Sequence, residues 1–210
     1  MSRYLGPSCR LCRREGMKLM LKGGRCETAK CSLEKRERSM APGMHGWRRG
    51  RRSDYGVRLR EKQKVKRYYG LMEKQFMSYF RKAERRTGNT GEILLELLER
   101  RLGNVVYKLN FAPSRKSARQ LITHGHIYLN GRRVDVPDIT TKIGDMITLK
   151  NSDTSRKIVK AQLESNPNFA VQGWLQLDTA KPMATVVGIP TRDDIQLAVE
   201  EQLVVEFCSK

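Results

Sequence analysis

The chain has 210 residues, with 42 Lys and Arg against 22 Asp and Glu, a formal charge of +20. Such a charge would repel itself in a compact state, so a polyanionic partner is the natural inference. No apolar run approaches the roughly 18 residues of a transmembrane helix, which argues against a membrane-spanning role, and MSRYLGPSCR lacks the apolar core of a secretory signal. The charge is also uneven: residues 1–90 carry 26 basic and 8 acidic side chains, a balance of +18, while residues 91–210 balance at +2. The first part reads as built to meet phosphates, and the second can support ordinary cores.

Residues 1–44 show little helical or strand periodicity, and a core of their own is not expected. They hold the array Cys9-x2-Cys12-x13-Cys26-x4-Cys31. Without a secretion signal, reduced thiols and a metal are favoured over disulfides. Two close pairs can close a tetrahedron on one structural Zn²⁺, leaving no open position for catalysis. The metal would then supply folding energy. An iron–sulfur cluster and four unliganded thiols remain open at this spacing. Arg3, Arg10, Arg13, Arg14, Lys22 and Arg25 are candidate phosphate contacts around the array.

APGMHGWRRGRR, residues 41–52, reads as an extended arm held by its partner, with Trp47, Arg48, Arg49, Arg51 and Arg52 as contacts. Trp47 could stack on an unpaired base. A helix is expected from Asp54, with Val57, Leu59, Val65 and Tyr68 partly inside and Gly70 ending it. Its Arg58, Lys62, Lys66 and Arg67 could be a solvated face. A single-signed excess with hardly an acidic partner points instead to nucleic-acid phosphate. A second helix is expected over 71–86, burying Leu71, Phe76, Phe80 and Ala83, then a turn with Thr90 as cap. A third covers 92–101 on the stripe Ile93, Leu94, Leu97 and Leu98. A short fourth spans 102–107.

SRKSARQLITHGHIYLNG, residues 114–131, carries the densest signals. Ser114 can cap a helix whose apolar stripe is Ala118, Leu121 and Ile122. Arg115 and Arg119 share another face, and Gly125 suits a left-handed close. From Ile127 the period becomes two, and Asn130-Gly131 has type I′ turn chemistry. Arg115 and Arg119 are candidate phosphate contacts, and at least one of His124 and His126 a candidate RNA contact. The two histidines have no third metal ligand nearby, so hydrogen bonding to backbone or phosphate is the simpler reading.

Beyond the hairpin, Pro137 suggests a bend and Gly144-Asp145 a turn before the alternating Ile147 and Leu149. A helix is expected over 156–165, brief strands over 173–178 and 183–190, and a helix or strand over 203–207. Asp193 and Asp194 read as helix-start charges, and Cys208 as a simple apolar side chain. No glycine-rich phosphate loop, nucleophile elbow or HExxH is present, so no catalytic residue is assigned.

Four ordered blocks carry a resemblance spanning nearly the whole chain. YLGPSCRLCRREGMKLMLKGGRC, SDYGVRLREKQKVKRYYGLMEKQF, NVVYKLNFAPSRKSARQLITHGHIYLNGRRV and IPTRDDIQLAVEEQLVVEFCSK together resemble the bacterial-type small ribosomal subunit protein number four, in its zinc-bearing form. The resemblance implies an α+β, mainly helical, two-lobed protein: a zinc-bearing extension over 1–44, a helical domain of 45–98 plus 166–210, and an inserted RNA-binding module over 99–165. It also implies that the module's RNA surface carries over to Arg115, Lys116, Arg119, His124, His126, Arg132 and Arg133, and that the protein is a structural constituent of the small subunit binding the five-prime domain of small-subunit ribosomal RNA. That protein would nucleate assembly of the domain and contribute to translational accuracy. Its neighbours would be small-subunit protein five and the path by which messenger RNA enters. The location would be the cytoplasmic ribosome, with an organellar one left open. Gly103 and Cys208 depart from the pattern, and Gly103 is expected to loosen its short helix. An RNA-modifying enzyme carrying the same module, or a DNA-binding regulator, are the competing classes. Only about 45 residues follow the module, too few for a catalytic domain, and no long recognition helix or dimerising heptad is present.

Overall fold

A computed structural model describes residues 4–35, 39–46, 50–51, 53–167, 169–178 and 182–209. Arg3, Trp47, Arg48, Arg49 and Arg52 therefore lie outside the described residues. The chain divides into two compact units, one of Met1–Leu94 with Leu197–Lys210 and one of Leu95–Gln196.

In the first unit a helix forms where no periodicity announced one. α1 (Ser8–Glu15) follows Pro7 and closes at Gly16, whose φ of 72° frees its N–H to reach the Cys12 carbonyl. After a single 3₁₀ turn, Gly23–Cys26, the backbone folds back on itself. Leu19, Leu21, Cys12, Cys26 and Cys31 are each buried. The segment expected to lack a core of its own thus buries several side chains.

α2 (Asp54–Tyr68) starts at Ser53, whose hydroxyl accepts from the Gly56 N–H at 3.2 Å. α3 (Glu73–Glu84) buries Phe76, Tyr79, Phe80 and Ala83 on one stripe. α4 (Thr90–Glu99) is capped by Asn89 rather than Thr90, since Asn89 Oδ1 accepts from the Gly91 N–H at 3.0 Å. The division between the units falls within α4.

In the second unit α5 (Leu102–Lys108) forms with Gly103 in its first turn. The Gly103 N–H donates to the Pro137 carbonyl at 3.0 Å, and a Cβ there would lie 3.3 Å from that oxygen. The glycine thus admits a neighbouring backbone at the start of the helix. α6 (Arg115–Thr123) is capped by Ser114 Oγ. β1 (Ile127–Leu129) and β2 (Arg132–Arg133) form the hairpin, with Asn130 and Gly131 at φ 51° and 76° as a type I′ turn needs. β3 (Met146–Leu149), α7 (Asp153–Ser165), β4 (Leu175–Asp178) and β5 (Met183–Val186) follow.

The five strands form one antiparallel sheet in the order β2-β1-β3-β5-β4, with Ile127 opposite Leu149 and Ile147 opposite Ala184. Alternation puts Ile127, Ile147, Ala184, Val186 and Leu175 into one core with Leu102, Val105, Phe111, Ile122 and Val159. β4 and β5 thus complete the module's own sheet, although the sequence assigned them to the helical domain. The strands around Ile147 would otherwise leave an apolar edge unpaired. Asp193 and Asp194 start no helix. Asp194 Oδ2 instead accepts from the Thr191 N–H and hydroxyl at 2.8 and 2.9 Å, closing a turn. α8 (Glu201–Cys208) returns to the first unit and packs against α2, with Tyr55 and Phe207 rings 5.3 Å apart.

Candidate nucleic-acid interface

The expected metal site is corrected. Among the described residues, no group of three or more His, Cys, Asp or Glu is placed to hold a metal ion. Cys12, Cys26 and Cys31 are buried, as small apolar side chains commonly are. Burial pushes the Cys12 thiol up, and nearby Cys26, Cys9 and Cys31 add to the rise. Cys26 Sγ accepts from the Lys22 N–H at 3.3 Å. The described residues thus do not support the expected zinc-bearing form, zinc cofactor and metal-binding role, nor an iron–sulfur cluster.

α2 carries its charges in a different way from the sequence expectation. Arg58 pairs with Glu206 of α8 at 2.8 Å, and Lys66 with Glu73 of α3 at 2.7 Å. Lys62 also pairs with Glu73, and its ammonium lies 4.8 Å from the Phe207 ring centre. Arg67 and Arg60 both reach Glu15 of α1, Arg60 at 3.3 Å. The acidic partners thus exist but come from distant elements. Lys62 is itself only 7% exposed, which makes it a packing group rather than a surface contact.

Burial alone would raise the Glu73 carboxyl, but hydrogen bonds from Lys62 and Lys66 outweigh it and hold the group below the usual carboxylate range. Glu15 behaves oppositely. Its burial outweighs the pull of Arg67 and Arg60, so its carboxyl sits above the ordinary value. The side-chain geometry shows an ion pair, and the raised value shows that desolvation makes it an expensive one.

The cations of this unit that face solvent lie elsewhere. Arg10, Arg14, Lys22, Arg25 and Arg51 are exposed, and Arg13 is half-buried with its Nε donating to the Met40 carbonyl at 2.8 Å. Lys30, one of the cations expected to keep the cysteine segment positive, is also exposed, and exposed Lys35, Lys74, Arg81, Lys82 and Arg85 join them without having been singled out from sequence. For α3 and its C-cap Arg85 the signal was available, because Lys74, Arg81, Lys82 and Arg85 fall off the buried stripe of Phe76, Phe80 and Ala83.

In the second unit, α6 and the hairpin bring most of the expected residues together. Lys116, His124, Arg132 and Arg133 are exposed, and Arg119 and His126 are half-buried. The His124 and His126 rings lie 6.2 Å apart on either side of Gly125. A Cβ on Gly125 would fall 2.5 Å from Arg133 Nε, so the glycine lets that guanidinium lie over the helix end. His126 Nδ1 is 2.9 Å from Ser155 Oγ. Burial, then His124 and Lys150, hold the His126 imidazole below its ordinary value.

Arg115 is the exception. It is 9% exposed, donates from Nε to Asn104 Oδ1 at 2.8 Å, and lies 4.5 Å from the Tyr107 ring centre. Asn104 Nδ2 in turn donates to Glu99 at 2.5 Å. Arg115 therefore joins a buried network and does not share the solvent face of Arg119. Lys108, 3% exposed, was missed altogether. Burial lowers its ammonium, Glu99 opposing and Arg115 adding to the shift.

What the arrangement offers is cations and hydrogen-bond donors on rigid elements, suited to phosphate oxygens. Among the described residues no helix is long and apolar enough to cross a membrane.

Comparison with known proteins agrees with this organisation. Residues 3–99 match the family described as ribosomal protein S4/S9 N-terminal domain, and residues 100–147 match the S4 domain. The chain is similar to small ribosomal subunit protein uS4 of Trichlorobacter lovleyi, 53% identical over 210 residues and covering all of both chains. The same protein of Desulfitobacterium hafniense is 51% identical over 211 residues, and that of Clostridioides difficile 52% over 210, each again over all of both chains. Resemblance along the full length, in both units, leaves a single conclusion: the chain belongs to the family of the bacterial-type small ribosomal subunit protein uS4.

Proposed function

We propose that the chain is a structural constituent of the small ribosomal subunit that binds small-subunit ribosomal RNA without performing chemistry. The observation that carries this reading is the full-length family membership of a chain with a +20 charge. The exposed cations of the first unit and the Lys116, Arg119, His124, His126, Arg132 and Arg133 surface of the second are its contacts. Phosphate pairing supplies position and affinity, driven by counterion release that added salt opposes. The five-prime domain is the RNA target, and early binding there nucleates its assembly. Protein five and the messenger path adjoin the protein in the assembled subunit, where it contributes to accuracy. The working location is the cytoplasmic ribosome. The full-length relatives give no support to an RNA-modifying enzyme or a DNA-binding regulator.

The test is to crosslink the purified full chain to total cellular RNA and sequence the attached fragments. Small-subunit ribosomal RNA should dominate, concentrated in the five-prime domain, with no change in base mass. Recovery of duplex DNA or of scattered messages in preference to ribosomal RNA would refute the reading.

A further inference from the structure

A cavity of about 500 Å³ opens on the first unit beside α1 and is lined by residues from three short segments. Arg10 and Arg13 come from one face of α1, Arg25 from the 3₁₀ turn, and Lys30, Ser32 and Lys35 from the turns that follow. Five cations thus surround one recess, and no carboxylate lines it. The α2 cations are neutralised by Glu15, Glu73 and Glu206, and this group is not. Among the described residues, no ion pair joins Arg10, Arg13, Arg25, Lys30 or Lys35 to an acid.

Two details make the recess a built one. The Arg13 guanidinium is tethered through Nε to the Met40 carbonyl at 2.8 Å, which removes part of the entropy a long side chain would lose on binding. Ser32 Oγ lines the same recess, is itself buried, and has no hydrogen-bond partner among the described residues. A buried hydroxyl left unmatched costs stability unless something accepts from it. The volume falls within the roughly 300–1,000 Å³ of small-ligand sites, large enough for a phosphate together with a ribose.

We propose that this recess is a phosphodiester-binding subsite, in which one backbone linkage of the bound RNA is held by Arg10, Arg25, Lys30 and Lys35, with Ser32 donating to a phosphate oxygen. The proposal rests on the RNA-binding reading and makes it specific. The other exposed cations supply diffuse attraction, whereas this recess registers a single position on the strand. Guanidinium forks suit a phosphate's paired oxygens, and the hydroxyl adds a neutral donor that diffuse charge cannot replace.

The experiment uses the full chain and the five-prime domain of small-subunit ribosomal RNA. An Arg10→Gln, Lys30→Gln double variant is compared with Lys157→Gln, Lys160→Gln, which removes the same charge from exposed positions of α7. Relative to that control, the pocket variant should lower the salt slope of binding by about 0.7 to 0.9 for the lost phosphate. Phosphate-ethylation interference should lose one position, or two adjacent ones, for the pocket variant alone. Ser32→Ala, which changes no charge, should weaken binding about two- to tenfold, the worth of one hydrogen bond, with the slope unchanged. Equal losses in both double variants with identical interference patterns, or full affinity in Ser32→Ala, would overturn the subsite. Failure of the wild-type chain to prefer this RNA is a separate outcome, and would remove the RNA reading and the subsite together.

Discussion

Arg115 Nε donates to Asn104 Oδ1 over 2.8 Å, joining the first turn of α6 to the middle of α5, while the Tyr107 ring lies beneath the guanidinium. The pair is buried and continues into Glu99, so one arginine ties two helices and a carboxylate into a single polar unit. Such networks are costly to break, because each remaining partner is left buried without its bond.

Arg115→Ala should therefore destabilise the second unit by about 2 to 3 kcal/mol. Arg115→Lys should recover little, since an ammonium offers neither the fork nor the planar stack. In both variants the salt slope of RNA binding should stay near that of wild type once folding is ensured. Lys116→Ala should behave in the opposite way, with stability unchanged and the slope reduced by about 0.7 to 0.9 per lost contact. Urea unfolding and salt titrations of the four proteins check the contrast. A stable Arg115→Ala protein with a shallower slope would return Arg115 to the RNA face.

Glu15 carries the contact of α1 with α2, its side chain fully buried between Arg60 and Arg67. Burial outweighs those two cations and leaves the carboxyl raised, so the unfolded chain gives up this proton at a lower pH than the folded one. Stability accordingly falls as pH rises from the ordinary carboxylate value through the folded one. Because the charge itself is penalised, Glu15→Gln should cost less than about 1 kcal/mol near neutral pH and should flatten that slope. Glu15→Ala, which also opens a cavity, should cost about 2 to 3 kcal/mol. Denaturant midpoints across pH decide the order, and equal losses in the two variants would show that charge matters more than volume.

Gly91 sits in the first turn of α4 against α8, and a Cβ there would fall 2.6 Å from the Glu201 Cβ. Helix propensity alone favours Gly91→Ala by at most about 1 kcal/mol. The backbone must move to admit the methyl, at about 1 to 3 kcal/mol. A lowered melting temperature is expected, whereas Gly24→Ala, with open space around the site, should leave it nearly unchanged. A higher melting temperature for Gly91→Ala would mean that α8 yields freely.

His126 titrates below its ordinary value because of burial, then His124 and Lys150. The unfolded chain therefore takes up this proton first as pH falls, and stability is lost between the ordinary value and the lower folded one. Above the ordinary value the contribution is complete and flat. His126→Gln should lose less stability than wild type between pH 7.5 and 5.5, as read from urea midpoints. Bound RNA phosphate would favour the imidazolium, so the RNA complex should weaken less than the free protein over the same interval. Parallel pH profiles for wild type and His126→Gln would remove this residue from the titration.

Features set by neighbours in the chain were legible from the sequence: the excess of charge in residues 1–90, Ser114 as a cap, the Asn130-Gly131 turn and the apolar stripes of α3 and α6. Each depends on residues within a turn or two of one another, where backbone preference and periodicity act directly. What only the tertiary structure decided was the fate of individual polar side chains. Arg58 meets Glu206 across 148 residues and Arg67 meets Glu15 across 52, so neither could be recognised as paired from its own helix. Arg115 and Arg119 share a helical face by spacing, yet α5 covers one of them and leaves the other half-exposed. The cysteines have a ligand-like spacing, but three of them are buried and no group among the described residues is placed to hold a metal ion. β4 and β5 join the module because strand edges pair by position in space, whatever their distance along the chain. Spacing restricts which faces residues can share, and only packing determines whether another element covers that face, since burial and ion pairing depend on atoms the local sequence does not contain.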